Sequence, residues 1–124
     1  MIFTYAIDPA LAAAVVSMPS SVHARDIAET ISAVYLDPHW RPGFSTLWDG
    51  LAITELHMEW SDLSALVHVQ RDHEHLAGAG VDVIVVTRAV DRSLASAYAL
   101  LAKAGPRRTR VVGSMAEAMS VLGR

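Results

Sequence analysis

Four of the chain's six histidines, His57, His68, His73 and His75, crowd into one stretch together with Ser61 and several carboxylates. Imidazoles titrate near neutrality and bind metals through their ring nitrogens, so the stretch invites reading as a general base or a metal site. His68, Asp72 and His75 fall at i, i+4 and i+7, a spacing that stacks side chains along one helical face. That face also carries Arg71 and reads as solvated. No second element offers a further ligand, so no metal or other cofactor is expected. His73 falls on the apolar side, where a hydrogen-bonded core histidine is expected. A histidine-based enzyme would need His57, His68 or His75 to share a cleft with another polar group.

Ser61 ends a strand–loop–helix joint, with a strand over residues 44–49 and a helix starting at Trp60-Ser61-Asp62. At the N-cap its hydroxyl would accept a hydrogen bond from a free N–H of the first turn. The helix dipole would favour a phosphate there too, which makes Ser61 a candidate helix cap or phosphosite. Glu59 and Asp62 would repel such a phosphate. Asp49, at the strand's carboxyl end, invites comparison with the phosphoacceptor of response-regulator receiver domains. The first strand lacks the acidic pair that follows it in a receiver, and no lysine ends the last strand, so that comparison fails. There is no glycine-rich phosphate loop and no nucleophile elbow. Trp40, Met58 and Trp60 fall in loops or at the helix start, where large apolar groups either roof the core or contact a partner. With Asp49 and Asp62 they outline a candidate binding surface.

At 124 residues the chain is long enough for one domain with a single covered core. Its 52% hydrophobic residues against 19% charged ones point to a sheet buried on both faces, a subunit interface, or both. A net charge of −3 gives no electrostatic reason to expect nucleic acid. The one basic cluster, Arg107-Arg108-Thr109-Arg110, reads as a solvated loop entering the last strand. Absence of cysteine excludes disulfides and thiolate chemistry. Neither a signal sequence nor a membrane-spanning run is read, so a cytoplasmic protein without an integral membrane segment is expected.

Periodicity then places the elements. Residues 2–7 and 11–18 read as strands joined by Asp8-Pro9-Ala10, too tight a link for anything but an antiparallel hairpin. A helix over 24–36 presents Ile27, Ile31 and Val34 on one face and stops at Asp37-Pro38. The helix from Ser61 runs to about residue 77, with Leu63, Leu66, Val69, Leu76 and Ala77 as its stripe, and ends at Gly78-Ala79-Gly80. Residues 81–87 form the strongest strand, apolar at consecutive positions from Val83 as a doubly covered strand should be. Asp91 can cap a helix over 92–104, with Leu94, Ala97, Tyr98 and Leu101 facing the core. A strand over 109–113 and a helix opened by the capping box Ser114-Met-Ala-Glu117 finish the chain. Alternating strands and helices imply a mostly parallel sheet of about five strands, helices on both faces, in a single domain spanning 1–124.

This pattern resembles the SpoIIAA-like fold group, which includes the STAS anti-sigma-factor antagonists and the CRAL-TRIO lipid-transfer domains. More closely, it is similar to small stand-alone bacterial SpoIIAA-like (STAS/SEC14-like) proteins. The likeness rests on the hairpin, the run Val22 to Ile27, Asp37-Pro38 with Arg41 to Phe44, Leu47-Trp-Asp49 with Ile53-Thr54, Ser61-Asp62-Leu63, and Ser114 to Ala118. STAS antagonists carry a phosphorylatable serine in an Asp-Ser-Ser-Gly-like turn; here that turn reads Glu59-Trp60-Ser61-Asp62, without the glycine. The resemblance implies a non-catalytic regulatory module that binds a protein partner or self-associates as a homodimer. The CRAL-TRIO relationship implies the alternative, a binder of a small apolar ligand or lipid.

Overall fold

The computed structural model describes residues 2–123. Strands β1 (Thr4–Asp8) and β2 (Ala13–Ser17) form the opening hairpin, with Thr4 opposite Ser17. Asp8 holds its turn by accepting the Ala10 N–H at 2.9 Å. There follow β3 (Ser21–His23), α1 (Ala24–Leu36), β4 (Ser45–Asp49), β5 (Glu55–His57), α2 (Trp60–Asp72), α3 (Glu74–Ala77) and β6 (Val81–Val85). The chain closes with α4 (Ala89–Leu101), β7 (Arg108–Val112) and α5 (Met115–Leu122).

The main sheet has five strands in the order β1-β2-β4-β6-β7, parallel throughout except for the hairpin. Each crossover adds its strand on the same side of the last, and right-handed crossovers then put every connecting helix on one face. Accordingly α1, α2 and α4 cover one face, where Val16 and Trp48 meet Ile31, Val34 and Leu66. Only α5, which follows the last strand, turns back to the other face and seats Ala118 among Leu47, Val83, Val85 and Val112. The expected mixed α/β sheet with helices on both faces is present, with four helices, the short α3 among them, on one side and one on the other.

Four local expectations shift. The helix read as 61–77 breaks at His73 into α2 and α3. The helix read from residue 92 starts at Ala89, followed after Leu101 by a 3-10 turn over Ala102–Ala104. Ser21–His23 and Glu55–His57 pair as a separate two-stranded parallel ribbon, a feature the sequence did not announce. The basic cluster is not a solvated loop: Arg107 is only 8% exposed, while Arg108 and Arg110 remain exposed.

Arg107 closes the end of the sheet where the parallel strands begin. Its Nη2 lies 2.8 Å from Asp82 Oδ1, and its Nε donates to the same carboxylate at 3.0 and 3.1 Å. Nη1 donates to the Ala77 and Gly78 carbonyls at 3.0 and 3.3 Å, and Nη2 to the Phe44 carbonyl at 2.9 Å. The guanidinium therefore ties the segments leading into β4 and β6 to its own, with all of its N–H groups engaged. It also stands 5.8 Å from the Tyr35 ring centre and 5.7 Å from that of Trp40. Burial, the largest single influence, works against its charge, but Asp82, with Tyr35 and Tyr98 adding to it, leaves the Arg107 pKa raised. Gly78 is needed beside it: its φ is +69°, and a Cβ would collide with the Gly43 backbone.

Removing one member of a buried, hydrogen-bonded pair strands the other, so Arg107→Met is expected to cost about 3–5 kcal/mol. Arg107→Lys should lose most of this as well, because an ammonium cannot reach three segments at once. Urea unfolding monitored by tryptophan fluorescence measures both. Asp82→Leu combined with Arg107→Met should cost clearly less than the sum of the two single changes.

Candidate functional site

The residues singled out in the sequence do not assemble into one surface. Trp40 is buried at the closed end of the sheet, its Nε1 donating to the Leu76 carbonyl at 2.9 Å and its ring edge-on to Tyr35 and Phe44. Asp49 lies past the other end of the same segment, where its Oδ1 accepts the Leu51 N–H at 3.0 Å. Trp40 therefore leaves the candidate binding surface: it roofs the core. Met58 is half-buried, and Trp60 stays 64% exposed at the first turn of α2.

Ser61 is not the helix cap. Helix α2 begins one residue earlier with Glu59 at the N-cap, and the Asp62 carboxylate reaches back to accept the Glu59 N–H at 2.8 Å. Ser61 is exposed on the first turn. The histidines are dispersed. His68 and His75 are exposed, and His73 donates from Nδ1 to the Val69 carbonyl at 2.9 Å, as a core histidine should. His57 stacks on His23 across the β3–β5 ribbon, ring centres 4.4 Å apart, and its Nε2 meets Glu55 Oε2 at 3.2 Å. Among the described residues no three His, Asp or Glu side chains come together as a metal would require. No helix among them is long and apolar enough to cross a membrane.

The feature with chemical potential is a cavity of about 90 Å³ between the helix-covered sheet face and the helices above it. Trp48 and Ile84 form its base. Leu63, Leu66 and Gln70, spaced along one stripe of α2, form one wall, and Leu94, Ala95 and Tyr98 of α4 form the other. Val22 and Leu56 from the ribbon, with Met58, line its outer side, which is partly open to solvent. The void follows from side-chain size: Ala95 gives α4 little bulk opposite Ile84, which remains only half-buried although it sits on an inner strand.

The lining is apolar except at one end, where Gln70, Asp82 and Tyr98 meet. Asp82 is 4% exposed and saturated. Besides Arg107 it accepts the Thr46 hydroxyl at 2.7 Å and the Gln70 Nε2 at 3.1 Å, and Thr46 in turn accepts from Trp48 Nε1 at 2.9 Å. Burial, and after it the charge of Asp82, pushes the Tyr98 phenol well above its ordinary pKa. Tyr35, behind the same cluster, is raised for the same two reasons. Both hydroxyls therefore keep their protons. Gln70 Oε1 is buried and has no hydrogen-bond partner among the described residues.

Gln70, Ile84 and Tyr98 were not picked out as site residues from the sequence, yet a signal existed. Gln70 falls on the Leu63–Leu66 stripe, and Asp82 interrupts an otherwise apolar strand, so each puts a polar group at a core position. No family model matches the chain, and neither a curated protein nor a solved structure matches it.

A second buried acid sits at the start of α4. Asp91 is 2% exposed, its Oδ2 is 3.5 Å from Arg88 Nε, and its Oδ1 has no partner among the described residues. Burial raises its pKa above 3.8, with Arg88 opposing. A carboxyl raised on folding favours the native state when protonated, and that contribution is lost as pH rises through the folded pKa. Asp91→Asn should therefore match the parent's stability near pH 3.8 and exceed it at neutral pH, as urea midpoints across that range would report. At α2, Asp62→Ala should cost about 1 kcal/mol through the lost cap, whereas Ser61→Ala should change stability by only a few tenths of that.

Proposed function

We propose that this chain is a non-catalytic, SpoIIAA-like binding module whose cavity takes a small, mainly apolar molecule. The observation that carries the reading is the cavity itself, apolar along its walls and lined by the ribbon on its partly open outer side. The saturated Asp82 and the dispersed histidines favour binding over catalysis, since neither leaves a base free beside a substrate. Toluene, a plain apolar probe, should raise the melting temperature in a concentration-dependent way. Ala95→Leu, which fills the space, should abolish that rise while leaving the fold intact by circular dichroism. A toluene response that survives Ala95→Leu would remove the cavity from the argument.

The regulatory reading, in which the domain meets a protein partner or a second copy of itself, draws on a different observation. Leu51, Trp60 and Val90 are exposed at the ends where β4, β5 and β6 give way to loops and helices. Exposed apolar groups supply a partner surface, and these three add to Ile2, Leu36, Leu100, Leu101 and Met119, which are exposed elsewhere. Light scattering coupled to size exclusion should show a dimer that Trp60→Ala converts to monomer. A parent chain that stays monomeric at high concentration rules out self-association.

A further inference from the structure

Resting on the cavity reading above, we propose that its ligand is an uncharged molecule with a hydrogen-bond donor, a hydroxyl group above all, that enters donor first and docks on Gln70 Oε1. The orientation of the Gln70 amide is fixed by chemistry. Asp82 is a carboxylate gripped by Arg107 and can only accept, so Gln70 must present Nε2 to it, as the 3.1 Å contact shows. Rotating the amide would set Oε1 against the carboxylate. Oε1 is thereby turned away from Asp82 and makes no hydrogen bond among the described residues, with the Tyr35 and Tyr98 hydroxyls beside the same amide. A buried unpaired amide oxygen is costly, and natural cores seldom leave one without a partner. Gln70 borders the cavity, and so does Tyr98, whose protonated hydroxyl can donate in return to a ligand oxygen.

The same end rejects charged ligands. An anionic head would face the Asp82 carboxylate, whose field already disfavours ionisation of Tyr98. A cationic head would find no acid free, because Thr46, Gln70 and Arg107 occupy the Asp82 oxygens. Size narrows the class further. The space of about 90 Å³ is below the roughly 150 Å³ of an engineered core cavity that holds benzene. The buried part of the ligand is therefore a hydroxyl and a few carbons, with any remainder directed out through the open side. Long acyl chains with a carboxylate head are poor candidates on both counts.

Phenol and toluene, which differ by a hydroxyl in place of a methyl, test this on the intact chain, with benzoate as the anionic arm. Affinities are read by NMR titration. Gln70→Met is expected to lower phenol affinity relative to toluene by about 10-fold, the scale of one buried hydrogen bond. In the parent protein, phenol should shift the Gln70 side-chain amide signals beyond the ring-current shift that toluene causes, a readout that stands even if Gln70→Met fails to fold. Toluene binding with a phenol-to-toluene ratio unchanged by Gln70→Met would overturn the donor inference and leave the apolar cavity reading standing. Benzoate binding tighter than phenol would overturn the requirement for an uncharged ligand. Failure of all three to bind would overturn the cavity reading and this inference with it.

Discussion

Asp82 and Arg107 meet inside the domain, where either charge alone would cost several kcal/mol. Their pairing ties together elements far apart in sequence: Asp82 is the second residue of β6, Arg107 precedes β7, and Thr46 lies opposite Asp82 on β4. Through Arg107 the carbonyls of Phe44, Ala77 and Gly78 are held at one point. Parallel strands cannot be joined by tight turns, so their registers depend on whatever fixes the segments that lead into them. Here one guanidinium does so for three strands at once. Tyr35 and Trp40 pack against it and keep water out, which strengthens the same hydrogen bonds.

The pair also dictates the chemistry of the cavity. A saturated Asp82 forces the Gln70 amide into one orientation, and that orientation leaves an acceptor without a partner. The unpaired oxygen is thus a consequence of satisfying the charge beside it. An apolar residue at position 70 would avoid the penalty but leave Asp82 short of a donor. The cavity survives next to this cluster because the elements around it are positioned elsewhere: the sheet by Arg107, the ribbon by its own pairing, and α5 from the opposite face. With those constraints in place, α4 need not bring a large residue at Ala95 to hold the helices apart.

Much of the architecture was legible because it rests on periodicity. Helix α1 spans the predicted residues, since Pro38 stops it and its apolar stripe is regular. Ser114 caps α5 as the capping box predicts, accepting the Glu117 N–H at 3.1 Å. Three-residue strands carry too few positions for alternation to show, which is why β3 and β5 were missed. Ser61 lost the cap to Glu59 because Asp62, three residues on, reaches back to the Glu59 N–H, and glutamate is not among the residue types that mark an N-cap locally. Arg107 was misread for a different reason. A run of arginines looks solvated from its neighbours alone, and the partner that buries Arg107 lies 25 residues away.

The two ends of the sheet are built on different principles, and that asymmetry is the strongest argument about use. Where the strands begin, polar groups are saturated, aromatics are packed, and Trp40 spends its indole N–H on the Leu76 carbonyl. Exposed apolar side chains occur at both ends, Leu36 and Leu100 where the strands begin and Leu51, Trp60 and Val90 where they end; what sets the second end apart is that Asp49 serves only its own turn and the ribbon over the cavity is held by three-residue strands. Local opening draws on the parts with the fewest buried contacts, so the ribbon should move before the clamp does. An anchored end and a loosely covered one suit a domain that admits something small beneath the ribbon without disturbing the pair that holds its strands in place.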